Sequence, residues 1–261
     1  MSIFFKSIVS MFEYLGGIYI FLLNNIRALF NERFYYKVLF LEIYSIGVKS
    51  FGVVTLAGIF TGMVFVIQVG FNFMKMGAQS YIGGVVALAI LRELSPVLVS
   101  IIVAGRAGSA MAAEIGTMKI TEQIDALKML SVDPYAYISL PKILASIIML
   151  PILVIYSDFV GLAGGAFVAV SQVGISLVSY KNSIIVWVEN YDIGSGLFKA
   201  IIFGFVISLV CCFNGFRTTK GAKGVGESAT FSVVISIISI LVLDYFLTVF
   251  LKYFYFLVYE M

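Results

Sequence analysis

The sequence has no histidine, only two cysteines, and few charged residues: 12% of its 261 residues are Asp, Glu, Lys or Arg. A soluble domain averages about 25%. Without histidine, the chain lacks the commonest general base and the commonest zinc ligand. Cys211 and Cys212 are adjacent within an apolar run, which is typical of small buried side chains and not of a disulfide framework. The sequence therefore predicts no catalytic residue and no metal site.

The chain is instead rich in apolar residues, which make up 61% of it, and its mean hydropathy is +1.08. A water-soluble fold could not bury so much apolar surface, whereas lipid solvates it readily. The net charge of +3 is too small to indicate a nucleic-acid partner. We expect an all-α integral membrane protein that forms one domain over residues 1–261, because no linker or low-complexity tract divides it.

Five apolar stretches approach or exceed the length of about 20 residues that a membrane-crossing helix needs. They are residues 50–74, 76–105, 143–180, 200–216 and 228–251. The third is long enough for one tilted helix with an outer extension, or for two short spans that meet near residues 161–165. The predicted transmembrane core covers residues 46–255.

The positions of basic residues indicate how many times the third stretch crosses the membrane, because cytoplasmic loops carry an excess of Lys and Arg. Two such clusters occur: Arg106, Lys119, Lys128 and Lys142, then Arg217, Lys220 and Lys223. An even number of crossings must separate two cytoplasmic loops, so the third stretch counts once. The prediction is about five transmembrane helices, with residues 181–192 and the C-terminus outside.

Residues 1–45 are predicted to form interfacial and cytoplasmic helices. Apolar residues fall mostly on one side of a helix near the N-terminus, away from Lys6, Ser10 and Glu13: Ile3, Phe4, Phe5, Ile8, Val9, Phe12 and Leu15. Such a pattern is typical of an amphipathic helix that lies in the membrane interface. A frayed apolar tail is the alternative.

Residues 114–138 form a cytoplasmic region between the second and third stretches. One helical face carries apolar residues, namely Ile120, Ile124, Leu127 and Leu130. The opposite face carries Lys119, Glu122, Gln123, Asp125 and Lys128. This amphipathic pattern suits contact with a soluble partner and equally suits a helix lying flat on lipid. Asp133 and Pro134 then predict an N-cap and the first position of the next helix.

Several charges are predicted at membrane depth, where an ionisable group costs at least about 2.5–3.5 kcal/mol. Arg92 and Glu93 point about 100° apart on a helix, so each is expected to pair with another helix or a second copy, or to line a wet cavity. We predict a salt link between Lys199 and Asp244. Asp192 sits at the outer membrane boundary. These groups either hold the assembly together or contact the transported molecule.

Several segments resemble the MlaE/YrbE permease family, and the likeness runs from about Gly47 to Phe250. The densest part spans residues 91–126, with LRELSP at 91–96, AGRAGS at 104–109, AEIGTMK at 113–119 and TEQIDA at 121–126. Asp133-Pro134, Pro141, the FNG triplet at 213–215 and LDYFLT at 243–248 fit the family too.

The resemblance implies the permease subunit of a Mce-type ABC transporter for phospholipids or related lipids. It implies as partners a second copy of the chain, an ABC ATPase, a Mce-domain lipid-binding protein and a STAS-domain protein. On this basis the substrate path comprises Arg92, Glu93, Lys199, Asp244 and Asp192. The helix from Glu114 to Leu127 becomes the ATPase-coupling helix, with contacts from Glu114, Gly116, Thr117, Lys119, Ile120, Glu122, Gln123, Asp125 and Leu127.

ATP and magnesium are expected on the partner ATPase, and this chain is expected to hold no cofactor. The Walker A pattern G-x-x-x-x-G-K-[ST] is missing from the sequence. Residues 221–228 contain glycines and Lys223 but not the Gly-Lys-Ser/Thr ending, and we interpret them as a flexible basic loop.

Two other functional classes compete with an ABC permease. An ion-coupled secondary carrier would use Glu93, Asp158 or Asp244 as proton sites, but such carriers often contain inverted repeats, and none is convincing here. A membrane scaffold without transport activity is the third. The expected location is a bacterial inner membrane, with a plastid inner envelope as the alternative.

Overall fold

A computed structural model describes residues 2–31 and 35–259, leaving out the side chains at 2–8, 11, 31, 258 and 259. The described chain is almost entirely helical and contains no strand. Its helices are α1 (Ser2–Asn31), α2 (Tyr36–Ile46), α3 (Phe51–Lys75), α4 (Ile82–Ala89), α5 (Ser95–Val103), α6 (Ser109–Ile120), α7 (Gln123–Met129), α8 (Leu140–Ser171), α9 (Leu177–Trp187), α10 (Asn190–Phe216) and α11 (Gly221–Tyr259). Short 3₁₀ turns cover Val48–Ser50 and Gln79–Tyr81.

Five of the continuous helical segments in the described chain are long and apolar enough to cross a membrane. These spans are Tyr36–Lys75, Gln79–Ile120, Tyr135–Ser171, Asn190–Phe216 and Gly221–Leu257. The prediction of an all-α membrane protein with five spans is confirmed.

The third span is one unbroken helix through Gly161–Gly165 and ends at Ser171. The last residues of the long third stretch, from Leu177, belong to the separate helix α9, which packs against α4. Asp133 caps the start of this span, because its carboxylate accepts a hydrogen bond from the backbone N–H of Tyr135 at 2.8 Å. The predicted cap and the single crossing both agree with the structure.

Helices α3 and α8 pack extensively against each other, and small residues make the contact. Gly58 and Gly62 of α3 face Gly161 and Gly164 of α8. A Cβ atom at Gly62 would overlap the Gly161 carbonyl, and one at Gly164 would press on the backbone of Ile59. Since backbone atoms cannot rotate away, these positions require glycine.

The fourth span lies at the centre of the bundle, in contact with α8, α6 and α11. In an apolar stretch of eighteen residues from each span, 67% is buried in the third and fourth spans, compared with 11% in the fifth. The fifth span therefore presents a long apolar face, including Ile238, Leu241 and Phe246.

Helix α1 contacts the bundle through Phe21 and Ala28, while Phe12, Leu15 and Tyr19 are exposed. This chain segment is helical and not a frayed tail. Exposed apolar side chains along such a helix suit lipid contact, and its place in the membrane interface stays a prediction. The predicted apolar side chains at Ile3, Phe4, Phe5 and Ile8 lie outside the described residues.

The predicted coupling helix from Glu114 to Leu127 is wrong as one continuous helix. Helix α6 ends at Ile120, Glu122 adopts a left-handed backbone with φ 59°, and α7 begins at Gln123. The predicted apolar face also fails at its end, because Leu130 follows the end of α7 and is 73% exposed. A periodicity of 3.6 residues holds only while the helix continues.

The predicted flexible loop at residues 221–228 is also wrong, because these residues form the first turns of α11. The turn before them is tight: Lys220 and Gly221 both have positive φ, at 69° and 63°. A Cβ at Gly224 would overlap the Thr219 carbonyl. Gly221 and Gly224 therefore allow the tight turn from which α11 begins, although in the sequence they suggested a flexible loop.

We expect Gly62→Ala to lower the free energy of unfolding by about 1–3 kcal/mol, because α3 and α8 must separate to admit the methyl group. Thermal unfolding in detergent, followed by size-exclusion fluorescence, measures the effect. Gly52→Ala in the same helix is the control, since no atom lies within 4 Å of its added Cβ. Equal melting temperatures for the two variants would contradict the close packing.

Candidate functional site

Lys199 of α10 is a lysine buried among three membrane spans, with only 2% of its side chain exposed. Its Nζ lies 2.6 Å from Glu93 of the second span and 2.9 Å from Asp244 of the fifth. It also donates to Thr248 Oγ1 at 2.7 Å and to the Arg92 carbonyl at 3.1 Å. We call Lys199, Glu93, Asp244 and Thr248 the Lys199 cluster. The predicted salt link between Lys199 and Asp244 is present.

Arg92 forms a second ion pair beside this cluster. Its guanidinium bonds Asp192, which is fully buried at the start of α10. The other Asp192 oxygen accepts from the backbone N–H of Glu189 at 2.8 Å, as part of a capping box. The N-terminal end of a helix favours a negative charge, so Asp192 is held in place both by the helix and by Arg92.

The local backbone explains how two adjacent residues reach different partners. Arg92 and Glu93 lie in a π turn, Ile90–Leu94, that interrupts the second span. Their partners Asp192 and Lys199 are seven residues apart, which is two turns and about 10 Å along one face of α10. The expectation that each charge pairs with another helix is confirmed within a single chain. Such π turns occur frequently at functional sites.

A cavity of about 400 Å³ opens beside these pairs. Arg92, Glu93 and Lys199 line it together with aromatic side chains such as Trp187 and Tyr255. Arg92 and Glu93 expose 45% and 40% of their side chains. The five predicted substrate-path residues thus come together. Arg92, Glu93 and Lys199 line the cavity, whereas Asp192 pairs with Arg92 and Asp244 pairs with Lys199. Glu189 and Lys252 line the cavity as well, so the arrangement offers cations and carboxylates next to aromatic and apolar side chains.

A second buried lysine was missed by the sequence analysis, which treated Lys142 as a loop residue. Lys142 has 2% of its side chain exposed, and its Nζ lies 2.6 Å from Glu42 and 2.8 Å from Glu114. These carboxylates come from the start of the first span and the end of the second. Glu114 therefore has a structural contact in addition to its predicted coupling role. The signal in the sequence was Glu42, an isolated charge in an apolar run.

The predicted coupling residues divide by exposure. Gly116 is buried, Lys119, Ile120 and Leu127 are half-buried, and the others are exposed: Glu114, Thr117, Glu122, Gln123 and Asp125. Hydrogen bonds from Lys128 and Lys119 lower the pKa of the Asp125 carboxyl, so its charge is retained well below neutral pH.

Two exposed apolar side chains at the end of α7 were also missed as candidate contacts. Met129 is 88% exposed and Leu130 is 73% exposed. They protrude at the end of the bundle that the basic residues predict to be cytoplasmic. Adjacent exposed apolar side chains suit a protein contact.

Comparisons with known proteins agree on one family. The family model described as Permease MlaE matches residues 39–250. A probable ABC transporter permease protein of Synechocystis sp. is 40% identical over 248 residues, which is 95% of this chain and 92% of that protein. The intermembrane phospholipid transport system permease protein MlaE of Haemophilus influenzae is 34% identical over 246 residues, covering 93% of this chain and 94% of that protein.

A plant protein is similar over a shorter region. The chloroplastic protein TRIGALACTOSYLDIACYLGLYCEROL 1 of Arabidopsis thaliana is 45% identical over 204 residues, which is 78% of this chain and 58% of that protein.

We expect Lys199→Met to lower the free energy of unfolding by about 3 kcal/mol, the lower end for breaking a buried ion pair, because Glu93 is partly exposed. Thermal unfolding in detergent tests this. The triple variant Lys199→Met, Glu93→Gln, Asp244→Asn should recover part of the loss. Lys181→Met, at an exposed site on α9, is the control, and a Lys199→Met variant as stable as this control would contradict the prediction.

Proposed function

This chain belongs to the MlaE permease family, and from that premise we propose that it is the membrane-spanning subunit of an ATP-driven transporter of phospholipids. The observation that carries the proposal is the cavity in which Arg92 and Glu93 stand beside an apolar wall. A phospholipid headgroup presents a phosphate, and in many lipids an ammonium group, above two acyl chains. The H. influenzae relative is named for phospholipid transport.

In this mechanism Arg92 binds the lipid phosphate through charge-assisted hydrogen bonds. The phosphate competes with Asp192 for the guanidinium, so binding and release exchange one ion pair for another at little net cost. Glu93 accepts from a headgroup ammonium or stays bonded to Lys199. The apolar wall of the cavity contacts the acyl chains.

ATP hydrolysis is assigned to a separate ATPase, and this chain acts without catalysis or a cofactor of its own. Permeases respond to their motor through a two-state rearrangement of packed helices. The exposed coupling residues and the Met129–Leu130 pair form the proposed docking surface. Because the second span joins α6 to the π turn at Arg92 and Glu93, a displacement of α6 reaches the cavity along one helix.

A second copy of this chain is the proposed partner of the fifth span. Only 11% of an eighteen-residue apolar stretch of that span is buried within one chain, and a matching span can cover its apolar face. By family resemblance, a Mce-domain protein receives or supplies lipid at the outer end, and a STAS-domain protein attaches to the ATPase. The domain assignment of residues 1–261 as one permease, with coupling through residues 114–138, belongs to the same proposal.

The proposed location is a bacterial inner membrane. The chain is a multi-pass membrane protein, and the bacterial permeases are matched over more of their length than the chloroplastic relative. The plastid envelope is thus not favoured.

The ion-coupled carrier is not favoured, because the curated relatives are named as ABC transporter permeases. The structure also gives two of its three proposed proton sites another role, because Lys199 pairs with both Glu93 and Asp244. Proton-driven lipid uptake by the chain alone would reverse this assignment.

The first test of the proposal is the double variant Arg92→Gln, Asp192→Asn in the assembled complex. The double change avoids leaving a buried carboxylate unpaired, so the protein should fold. Loss of the charged contact to phosphate should reduce ATP-driven phospholipid transfer about tenfold or more in proteoliposomes. Lys181→Gln is the matched control. Full transport by the double variant would remove Arg92 from the substrate path.

The second test concerns docking of the ATPase. The double variant Met129→Ser, Leu130→Ser removes two exposed apolar side chains and should leave the stability of the permease unchanged. We expect it to lose most of the co-purifying ATPase. The control is Val178→Ser, Val186→Ser, which alters two exposed residues on α9 at the other end of the bundle. Equal ATPase recovery from both variants would argue against this docking surface.

A further inference from the structure

An open cleft of about 850 Å³ lies at the end of the bundle away from the Lys199 cluster. It is formed by the last turn of α10, the short connection that follows it, and the first turns of α11. Three cations line it, Arg217, Lys220 and Lys223, together with the carboxylate of Glu227. Lys223 and Glu227 are 3.9 Å apart and largely exposed, so solvent screens their attraction. The cleft therefore has a net positive lining.

A buried amide beside this cleft has a hydrogen-bond donor without a partner. Asn214 is 6% exposed and lines the cleft. Its Oδ1 accepts from the Tyr14 hydroxyl at 3.2 Å, and its backbone carbonyl accepts from Ser228 Oγ at 2.9 Å. Its Nδ2 has no hydrogen-bond partner within the part of the chain that the structure describes. A buried N–H without an acceptor is costly, so an acceptor from a ligand would be favoured at this place.

The orientation of this amide follows from its neighbour. Burial raises the pKa of the Tyr14 phenol, so the hydroxyl keeps its proton at neutral pH and donates it to Asn214 Oδ1. The opposite end of the amide then remains as the donor.

The cleft is amphipathic along its length. Beyond the cations it is lined by Phe231 and Val234, and the twelve residues from Lys223 to Val234 span about 16 Å of helix. Tyr14 of α1 packs edge-on against Phe231 at 5.9 Å between ring centroids. Since α1 is predicted to lie in the membrane interface, the charged end of the cleft lies at the depth of lipid headgroups.

We propose that this cleft binds the phosphate headgroup of an anionic phospholipid from the leaflet on the predicted cytoplasmic side. The cations and the Asn214 amide bind the phosphate oxygens, and Phe231 and Val234 contact the upper part of an acyl chain. Basic pockets at this side of a membrane favour such headgroups. An acidic segment of a protein would satisfy the cations but would leave the apolar wall unused.

This site is separate from the proposed substrate cavity. Asn214 and Lys199 are fifteen residues apart on α10, which is about 22 Å along the helix. The proposal therefore does not depend on the direction of transport or on the role of Arg92. A lipid bound here would be retained while other lipids pass through the cavity.

Native mass spectrometry of the delipidated full-length protein, titrated with phosphatidylglycerol or phosphatidylcholine, tests the proposal. We expect tighter binding of phosphatidylglycerol, weakened about 30-fold in the double variant Lys220→Gln, Lys223→Gln. Asn214→Asp keeps an acceptor for Tyr14 and places a carboxylate against the phosphate, so it should weaken binding as well. The control Lys75→Gln, Lys181→Gln removes two exposed cations at the opposite end and should leave binding unchanged.

Several outcomes would overturn the proposal. Equal phosphatidylglycerol binding by the cleft variants and the control would show that bulk charge is responsible. Competition by millimolar inorganic phosphate as strong as that by lipid would identify a free-anion site. Unchanged lipid binding with loss of the co-purifying ATPase, or with loss of crosslinking between two copies, would assign the cleft to a protein interface. Thermal unfolding in phosphatidylcholine checks that each variant is folded, and binding is independent of transport activity.

Discussion

An ammonium group buried in an apolar helix bundle must be neutralised by carboxylates, and this constraint organises the five spans. Lys199 connects the second, fourth and fifth spans through Glu93 and Asp244. Lys142 connects the first, second and third through Glu42 and Glu114. All five spans thus contribute to one of two ion clusters, and the second span contributes to both. Removing one partner from such a cluster costs far more than the pair gains over apolar packing.

The surroundings of the two clusters differ, and we assign a structural role to the Lys142 contacts and a role in transport to the Lys199 cluster. Lys142 lies where α6 leads into the coupling region, so it holds the ends of three helices near the proposed motor. Lys199 lies behind a cavity whose walls include the partly exposed Arg92 and Glu93. On the second span, the π turn at Ile90–Leu94 contains Glu93 itself, and another at Ala104–Gly108 lies between Glu93 and Glu114. A helix with altered hydrogen bonding at two places is suited to change shape when one end is displaced.

Rigid and weakly packed parts of the bundle also differ in position. Glycines hold α3 against α8 at backbone contact, which leaves little room for relative motion. The fifth span is buried over only a small part of its surface and keeps its apolar face for lipid or a second copy. A lipid bound at the cleft beside Asn214 would stabilise the N-terminal end of this span, next to helix α1, which is predicted to lie in the membrane interface.

The sequence by itself determined the class of protein, the five crossings, the cap at Asp133 and the family, because hydropathy, charge bias and residue order do not depend on helix arrangement. It also predicted the link between Lys199 and Asp244, since charges in lipid need partners. The tertiary structure alone decided which carboxylates surround Lys142, why Glu93 turns to Lys199 while Arg92 turns to Asp192, and where Asn214 is left without an acceptor. It also decided that α6 ends at Ile120 and that α11 begins at Gly221. The left-handed backbone at Glu122 and the close contact of Gly224 with Thr219 become visible only when the chain is folded. Contacts between residues a hundred positions apart depend on helix packing, and periodicity along one helix carries no information about them.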